Sequence, residues 1–229
     1  FLPLYPALAS IAGMFLVSLW DRSREAAQRG TPNGGGVWRR LRALVTPASR
    51  GATVTVALLT AAWGLAYFNI YTKPVTRVQA SEWIHANVPD GATLGVEHWD
   101  DSLPYAGPRR YQHIEFQNYR FDDAEKVRQL LDNLDAVDYV ILTSNRLSGS
   151  ITRAPAIWPV TTRYYEALRT GELGFEKVAE FTSPPELSGV SIQDRSAEES
   201  WTVYDHPSVT VYRKTDAYSR ERAATIMAV

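Results

Sequence analysis

The sequence predicts two transmembrane α-helices followed by an extracytoplasmic α/β domain with a mostly parallel sheet. Three observations predict it: two long stretches without a charged side chain, an arginine-rich connector between them, and alternating strand and helix signals in the remainder.

Residues 1–20, FLPLYPALASIAGMFLVSLW, and residues 51–72, GATVTVALLTAAWGLAYFNIYT, contain no Asp, Glu, Lys or Arg. About 20 residues of helix, at a rise of 1.5 Å each, cross the ~30 Å hydrocarbon layer of a bilayer, so each stretch is long enough to span it. Trp20 closes the first, and Tyr67, Phe68 and Tyr71 close the second, where aromatic rings meet headgroups. Buried helices of a soluble protein are the structural alternative, but such helices carry charge on an exposed stripe. A signal peptide would need basic residues ahead of the apolar run. The chain opens inside apolar sequence at Phe1, so this reading expects an upstream portion and a larger membrane protein.

Residues 21–50 hold Arg22, Arg24, Arg29, Arg39, Arg40, Arg42 and Arg50 against Asp21 and Glu25, a net charge of +5. The positive-inside rule makes this loop cytoplasmic and places everything beyond Tyr71 outside. Within it, TPNGGG reads as a flexible break, and VWRRLRALV alternates apolar and basic residues in a way that suits anionic lipid.

Residues 73–229 read as one domain. Pro74 starts a helix with Val78, Trp83, Ile84 and Val88 on its apolar face, and Pro89-Asp90-Gly91 ends it. A strand follows at 93–98, and another is expected at His113–Phe116. Asp122 is the expected N-cap of a helix through Leu134, and YVILT at 139–143 is the expected central strand. A loop runs to Pro159, and a helix over Val160–Arg169 is stopped by Gly171. Strands are expected at Phe175–Phe181, 189–192 and Val209–Tyr212, with residues 74–214 closing a complete core. This alternation argues a small sandwich of helices on a largely parallel sheet, its last strands open to an antiparallel course.

The overall net charge of −1 and the absence of cysteine argue against nucleic-acid binding and exclude disulfides, thiolate nucleophiles and cysteine-held metals. No Gly-rich phosphate loop or metalloprotease helix is present, the four histidines are scattered, and neither a metal nor a cofactor is expected. Polar density instead gathers after predicted strands, where open α/β sheets bind ligands. His98, Trp99, Asp100 and Asp101 follow the first strand, and the indole suits stacking on a sugar ring. The competing reading of the Asp pair is a turn. Asn145 and Arg146 follow YVILT, where the guanidinium suits a phosphate or carboxylate and the amide a hydroxyl. Arg163 lies in TTRYY at a helix start, whose free N–H groups favour anions, while Tyr164 and Tyr165 suit the core. Glu198-Glu199 and Asp205-His206-Pro207 suit caps and turns.

FLPLYPALA resembles a late transmembrane helix of polytopic, lipid-carrier-dependent glycosyltransferases, the protein O-mannosyltransferase-like branch of the C-type fold. RVQASEWIHANVPDGATLGVEHWDDSLP, YVILTSNRLSGSI, TTRYYEALRTGELGFEKVAEFTS and AEESWTVYDHPSVTVYRK are similar to the C-terminal extracytoplasmic region of bacterial members. The resemblance implies transfer of a sugar from a polyprenyl-phosphate donor to an acceptor (glycan, lipid or protein) at the outer face of the cell membrane. It places the activating carboxylate in a first outer loop near the N-terminus of the full protein, so no catalytic residue carries over to this chain. The domain would shape the acceptor's way in or pack over the membrane-embedded site. The competing class is a non-enzymatic, membrane-anchored binding or scaffold domain.

The +5 connector makes a topology experiment decisive. Reporter fusions after Lys73 are expected to be active only outside the cytoplasm, and fusions near Gly35 only inside. The reverse pattern removes the orientation and the transferase reading together.

Overall fold

A computed structural model describes residues 4–28, 37–197 and 199–228, with side chains 26–27 and 37–47 left aside. The chain divides into two compact units, Phe1–Leu65 and Ala66–Val229. The expected break at 31–36, Arg29 and Glu198 lie outside the described residues, as do the side chains of Arg39, Arg40 and Arg42.

The first unit contains α1 (Tyr5–Gln28) and most of α2 (Val37–Phe68). Both helices continue into the stretch expected to be a loop, so the described parts of 21–50 are largely helical. Arg50 joins them: its Nε donates to Ser23 Oγ at 2.9 Å, its Nη2 to the Ser23 carbonyl at 3.2 Å, and its guanidinium lies 6.0 Å from the Trp20 ring. Leu8, Ile11, Phe15, Leu58 and Leu59 are each more than half exposed, an apolar surface that water disfavours and lipid suits. Among the described residues one helical stretch, containing the apolar run of α2, is long and apolar enough to cross a membrane. The expectation of two such helices is met by one, because Asp21, Arg22, Arg24 and Glu25 occupy the last two turns of α1.

The second unit is a mixed sheet with helices on both faces. It comprises α3 (Thr76–Asn87), β1 (Thr93–Glu97), β2 (Gln112–Phe116), α4 (Ala124–Ala136), β3 (Tyr139–Leu142), α5 (Arg146–Ile151) and α6 (Pro159–Thr170). There follow β4 (Phe175–Phe181), β5 (Glu186–Leu187), β6 (Val190–Ser191), α7 (Glu199–Thr202), β7 (Val209–Lys214) and α8 (Arg220–Met227). The main sheet runs β2-β1-β3-β7-β4, while β5 and β6 form a separate hairpin. β1 pairs parallel with β2 and β3, whereas β7 pairs antiparallel with β3 and β4, so the expectation of a mostly parallel sheet is corrected to an even mixture. The cause is the connection from β4 to β7. It carries no helical crossover back to the opposite rim, so β7 starts from the rim where β4 ended and must run the other way.

Alternation along the strands divides the core. Ile141, Val209 and Val211 pack with Ala80, Ile84 and Val88 on the α3 face, while Val140, Leu142 and Tyr212 pack with α4, α5, α6 and α8 on the other. The buried stripe of α3 is Thr76, Arg77, Ala80, Ser81 and Ile84: of the expected face Ile84 and Val88 are buried, while Val78 is exposed and Trp83 only half-buried. Ala223 and Met227 of α8 are buried in the second core, so a segment ending at 214 lacks part of it. Gly171 ends α6 with φ 78°, the left-handed geometry expected of it.

Asp122 is displaced from its expected task. Asp123 caps α4, its side chain accepting from Lys126 N–H at 2.7 Å, while Asp122 caps α6 by accepting from Val160 N–H at 2.7 Å and Thr161 N–H at 3.2 Å. The Lys126 ammonium, buried, lies 2.7 Å from Asp122 Oδ1 and also donates to the carbonyls of Asn118 and Arg120. Burial opposes ionisation of Asp122, but the hydrogen bonds from Lys126 and Thr161 outweigh it and hold the carboxyl below its usual range.

Residues 67–73 grip the loops at one rim of this unit. The Tyr67 and Tyr71 hydroxyls donate to the Asp205 carboxylate at 2.9 and 2.8 Å, and Asn69 Nδ2 and Lys73 Nζ reach Glu186 at 3.0 and 2.8 Å. Asp205 therefore serves a tertiary contact rather than the expected cap.

Asp122→Ala leaves a buried ammonium without its carboxylate and uncaps α6, which is expected to cost about 3–5 kcal/mol. Denaturation of the whole chain in detergent measures it. The contribution is present above the ordinary Asp range and is lost as pH falls through the lowered pKa. A loss below about 1 kcal/mol, the size of an exposed pair, removes the node from its structural role.

Candidate functional site

β1 and β3 are parallel neighbours, with Leu94 opposite Tyr139 and Val96 opposite Ile141, so their carboxyl ends leave the sheet side by side. The two polar segments that follow them meet there. Ser144 Oγ donates to Asp100 Oδ2, Arg146 Nη1 donates to the Trp99 carbonyl, and the Arg146 N–H donates to Ser144 Oγ at 3.0 Å.

The members of this cluster divide by what holds them. Asp100 is locked: its side chain is 2% exposed, with Arg77 Nη2 2.9 Å from its Oδ1. Arg77 Nη1 also reaches Asp101 at 3.1 Å, leaving Asp101 half-exposed at the surface. His98 is buried and its Nδ1 lies 3.0 Å from the Phe116 carbonyl. Asp100 and His98, expected to contact a ligand, are thus already engaged within the protein, as a buried carboxylate must be paired and a buried imidazole hydrogen-bonded. Arg163 is likewise apart from the rim cluster. It pairs with Glu172 at 2.9 Å, and Asp122 occupies the helix N-terminus at which Arg163 was expected to help hold an anion.

Trp99, Asn145 and Arg146 remain presented. Trp99 is 67% exposed although its neighbours are buried, and its φ of 66° places a bulky side chain in the left-handed region. Its ring packs 5.0 Å from His98 and 5.1 Å from Tyr119, which in turn meets Trp158 edge-on at 5.3 Å. This makes an aromatic row with one outer face open. The Arg146 guanidinium lies 5.5 Å from the Tyr204 ring and 3.8 Å from Glu199. Asn145 accepts from Thr202 Oγ1 at 3.2 Å. An indole face, a guanidinium and an amide on one rim are the means of holding a polyhydroxylated or anionic ligand, and among the described residues the neighbouring carboxylates of Asp100, Asp101 and Glu199 are each engaged by an arginine. Among the described residues no group of three or more His, Asp or Glu side chains is arranged to hold a metal.

Comparison with known protein families, curated proteins and solved structures returns no match.

Sequence reasoning missed Tyr119, Trp158, Tyr204 and Arg77. A signal existed for Arg77, a lone cation on the stripe of Ala80, Ser81 and Ile84, which requires a buried acidic partner.

Directly behind the rim lies Glu97, 3% exposed, whose Oε1 accepts from the Tyr165 hydroxyl and from Asn118 Nδ2 at 3.2 Å, while Oε2 has no partner. Burial pushes its pKa up to about 7, with the hydrogen bonds from Tyr165 and Asn118 opposing. An acid whose folded pKa is raised loses stability as pH rises from its unfolded value toward the folded one. The wild-type chain is therefore expected to lose on the order of 3 kcal/mol between pH about 4.5 and pH about 7 through this group. Glu97→Gln should flatten that part of the profile in thermal unfolding; an unchanged slope assigns it to other groups.

Proposed function

We propose that this chain is the C-terminal part of a multi-pass membrane glycosyltransferase, moving a sugar from a polyprenyl-phosphate carrier to an extracytoplasmic acceptor. In this reading α1 is a second span, the basic connector faces the cytoplasm, and the sheet domain lies outside the cell membrane. In this reading the catalytic carboxylate belongs to a first outer loop that is not among these residues. The observation that carries the proposal is the open indole of Trp99, kept in a left-handed conformation beside Arg146 at the carboxyl rim of β1 and β3. A left-handed backbone costs a non-glycine residue roughly 1–2 kcal/mol, and such cost gathers at functional sites. The apolar surface of the first unit further supports a lipid surround. A binding or scaffold role is favoured by one feature: among the described residues the rim carboxylates of Asp100 and Asp101 are both held by Arg77.

Trp99→Gly separates the readings. It relieves the left-handed strain, so the melting temperature of the whole enzyme is expected to hold or rise. Sugar transfer is expected to fall roughly five-fold to a hundred-fold, the equivalent of about 1–3 kcal/mol of lost stacking. A lowered melting temperature with unchanged turnover makes the rim structural. Sugar binding at the rim without any transfer favours the scaffold.

A further inference from the structure

Past Asn145 the same rim opens into a recess of about 400 Å³ between α5, α6 and the ends of β3, β7 and β4. The side chains that face it are charged and hydroxylated. Glu180 is shared by two cations, Lys177 at 2.9 Å and Arg195, so this trio carries one positive charge in excess. Asp194 lies 2.8 Å from His206 Nε2 and balances that excess while the imidazole is neutral. Arg169 completes the wall. Its guanidinium lies 5.7 Å from the Tyr165 ring centroid, and among the described residues no carboxylate stands within ion-pair distance of it. Among the described residues Arg169 is thus the cation of the recess that has no ion-paired carboxylate, although its charge acts on the buried Glu97, and its planar group is suited to a carboxylate.

Two further atoms lack partners. Ser183 Oγ and His206 Nδ1 belong to residues that line this recess and are 6% and 4% exposed, and neither atom has a hydrogen-bond partner. Unsatisfied buried polar atoms are costly, and a ligand bearing hydroxyls supplies what they lack. Donors and acceptors both occur: the Arg169, Lys177 and Arg195 cations donate, and the Glu180 and Asp194 carboxylates accept. Hydroxyl groups, which do both, match such a lining.

We infer that this recess binds an acidic sugar residue of the hexuronate class, its carboxylate on Arg169 and its hydroxyls among Asn145, Ser183 and the Glu180 and Asp194 carboxylates. The assignment concerns binding alone and goes beyond the transfer reading without resting on it. Its volume lies within the range of small-molecule sites.

Titration calorimetry on the whole chain in detergent tests it with glucuronate, glucose and glucose 6-phosphate. Glucuronate is expected to bind at least about ten-fold more tightly than glucose. Arg169→Ala should remove that preference, Arg169→Lys should restore part of it, and Arg110→Ala, at the opposite rim, should leave it intact. Arg169 is exposed, so neither variant at that position threatens the fold. Equal binding of glucuronate and glucose, no binding of glucuronate, or a preference that survives Arg169→Ala overturns the inference. Tighter binding of glucose 6-phosphate than of glucuronate overturns the carboxylate assignment in favour of a phosphorylated sugar. Loss of transfer activity bears on the previous proposal and leaves these outcomes unaffected.

Discussion

The Asp100 carboxylate, held on one side by Arg77 and on the other by Ser144, is the contact on which the rim depends. Arg77 comes from α3, Asp100 from the end of β1 and Ser144 from the end of β3, so one buried anion ties a covering helix to two strand ends. Breaking such a pair leaves an uncompensated charge inside the protein, which is far more costly than the pair is stabilising. The chain after β1 therefore has little freedom of course, and the Trp99 backbone is driven into the left-handed region while its ring projects outward.

The order of the strands extends this rim. β7 runs against its neighbours, so its first residues and the last residues of β3 and β4 lie at one edge. Loops from five segments of chain gather there: those after β1, β3 and β4, and those around Asp194 and Thr202. A purely parallel sheet would have sent the start of β7 to the opposite edge. The recess and the aromatic row owe their adjacency to that reversal, with Asn145 facing one and Arg146 the other.

What could be read from the string is what is local. YVILT and FEKVAEF carry strand character in their own residues, and Gly171 marks a helix end because only the left-handed turn there requires it. Illegible were the facts that depend on distant partners. Asp100 read as a ligand because its partners lie 23 positions upstream and 44 downstream. Asp122 and Asp123 stand side by side, and nothing local tells which caps α4 and which reaches 38 positions on to Val160. α8 escaped because its apolar residues, Ala223, Ala224, Ile226 and Met227, are few and interrupted by charged and hydroxylated ones. The antiparallel course of β7 was left open by the sequence, because direction is decided by where the preceding connection ends.

The grip of Tyr67 and Tyr71 on Asp205, and of Asn69 and Lys73 on Glu186, has a mechanical consequence. Asp205 is the immediate neighbour of His206, which lines the recess, and the Glu186 hairpin begins two residues after Pro184, which lines it too. A displacement of residues 67–73 is therefore transmitted through two short tethers to the walls of the recess, and filling the recess pulls back on the same tethers. The segment that leads into the sheet domain acts on it as a lever with a very short arm.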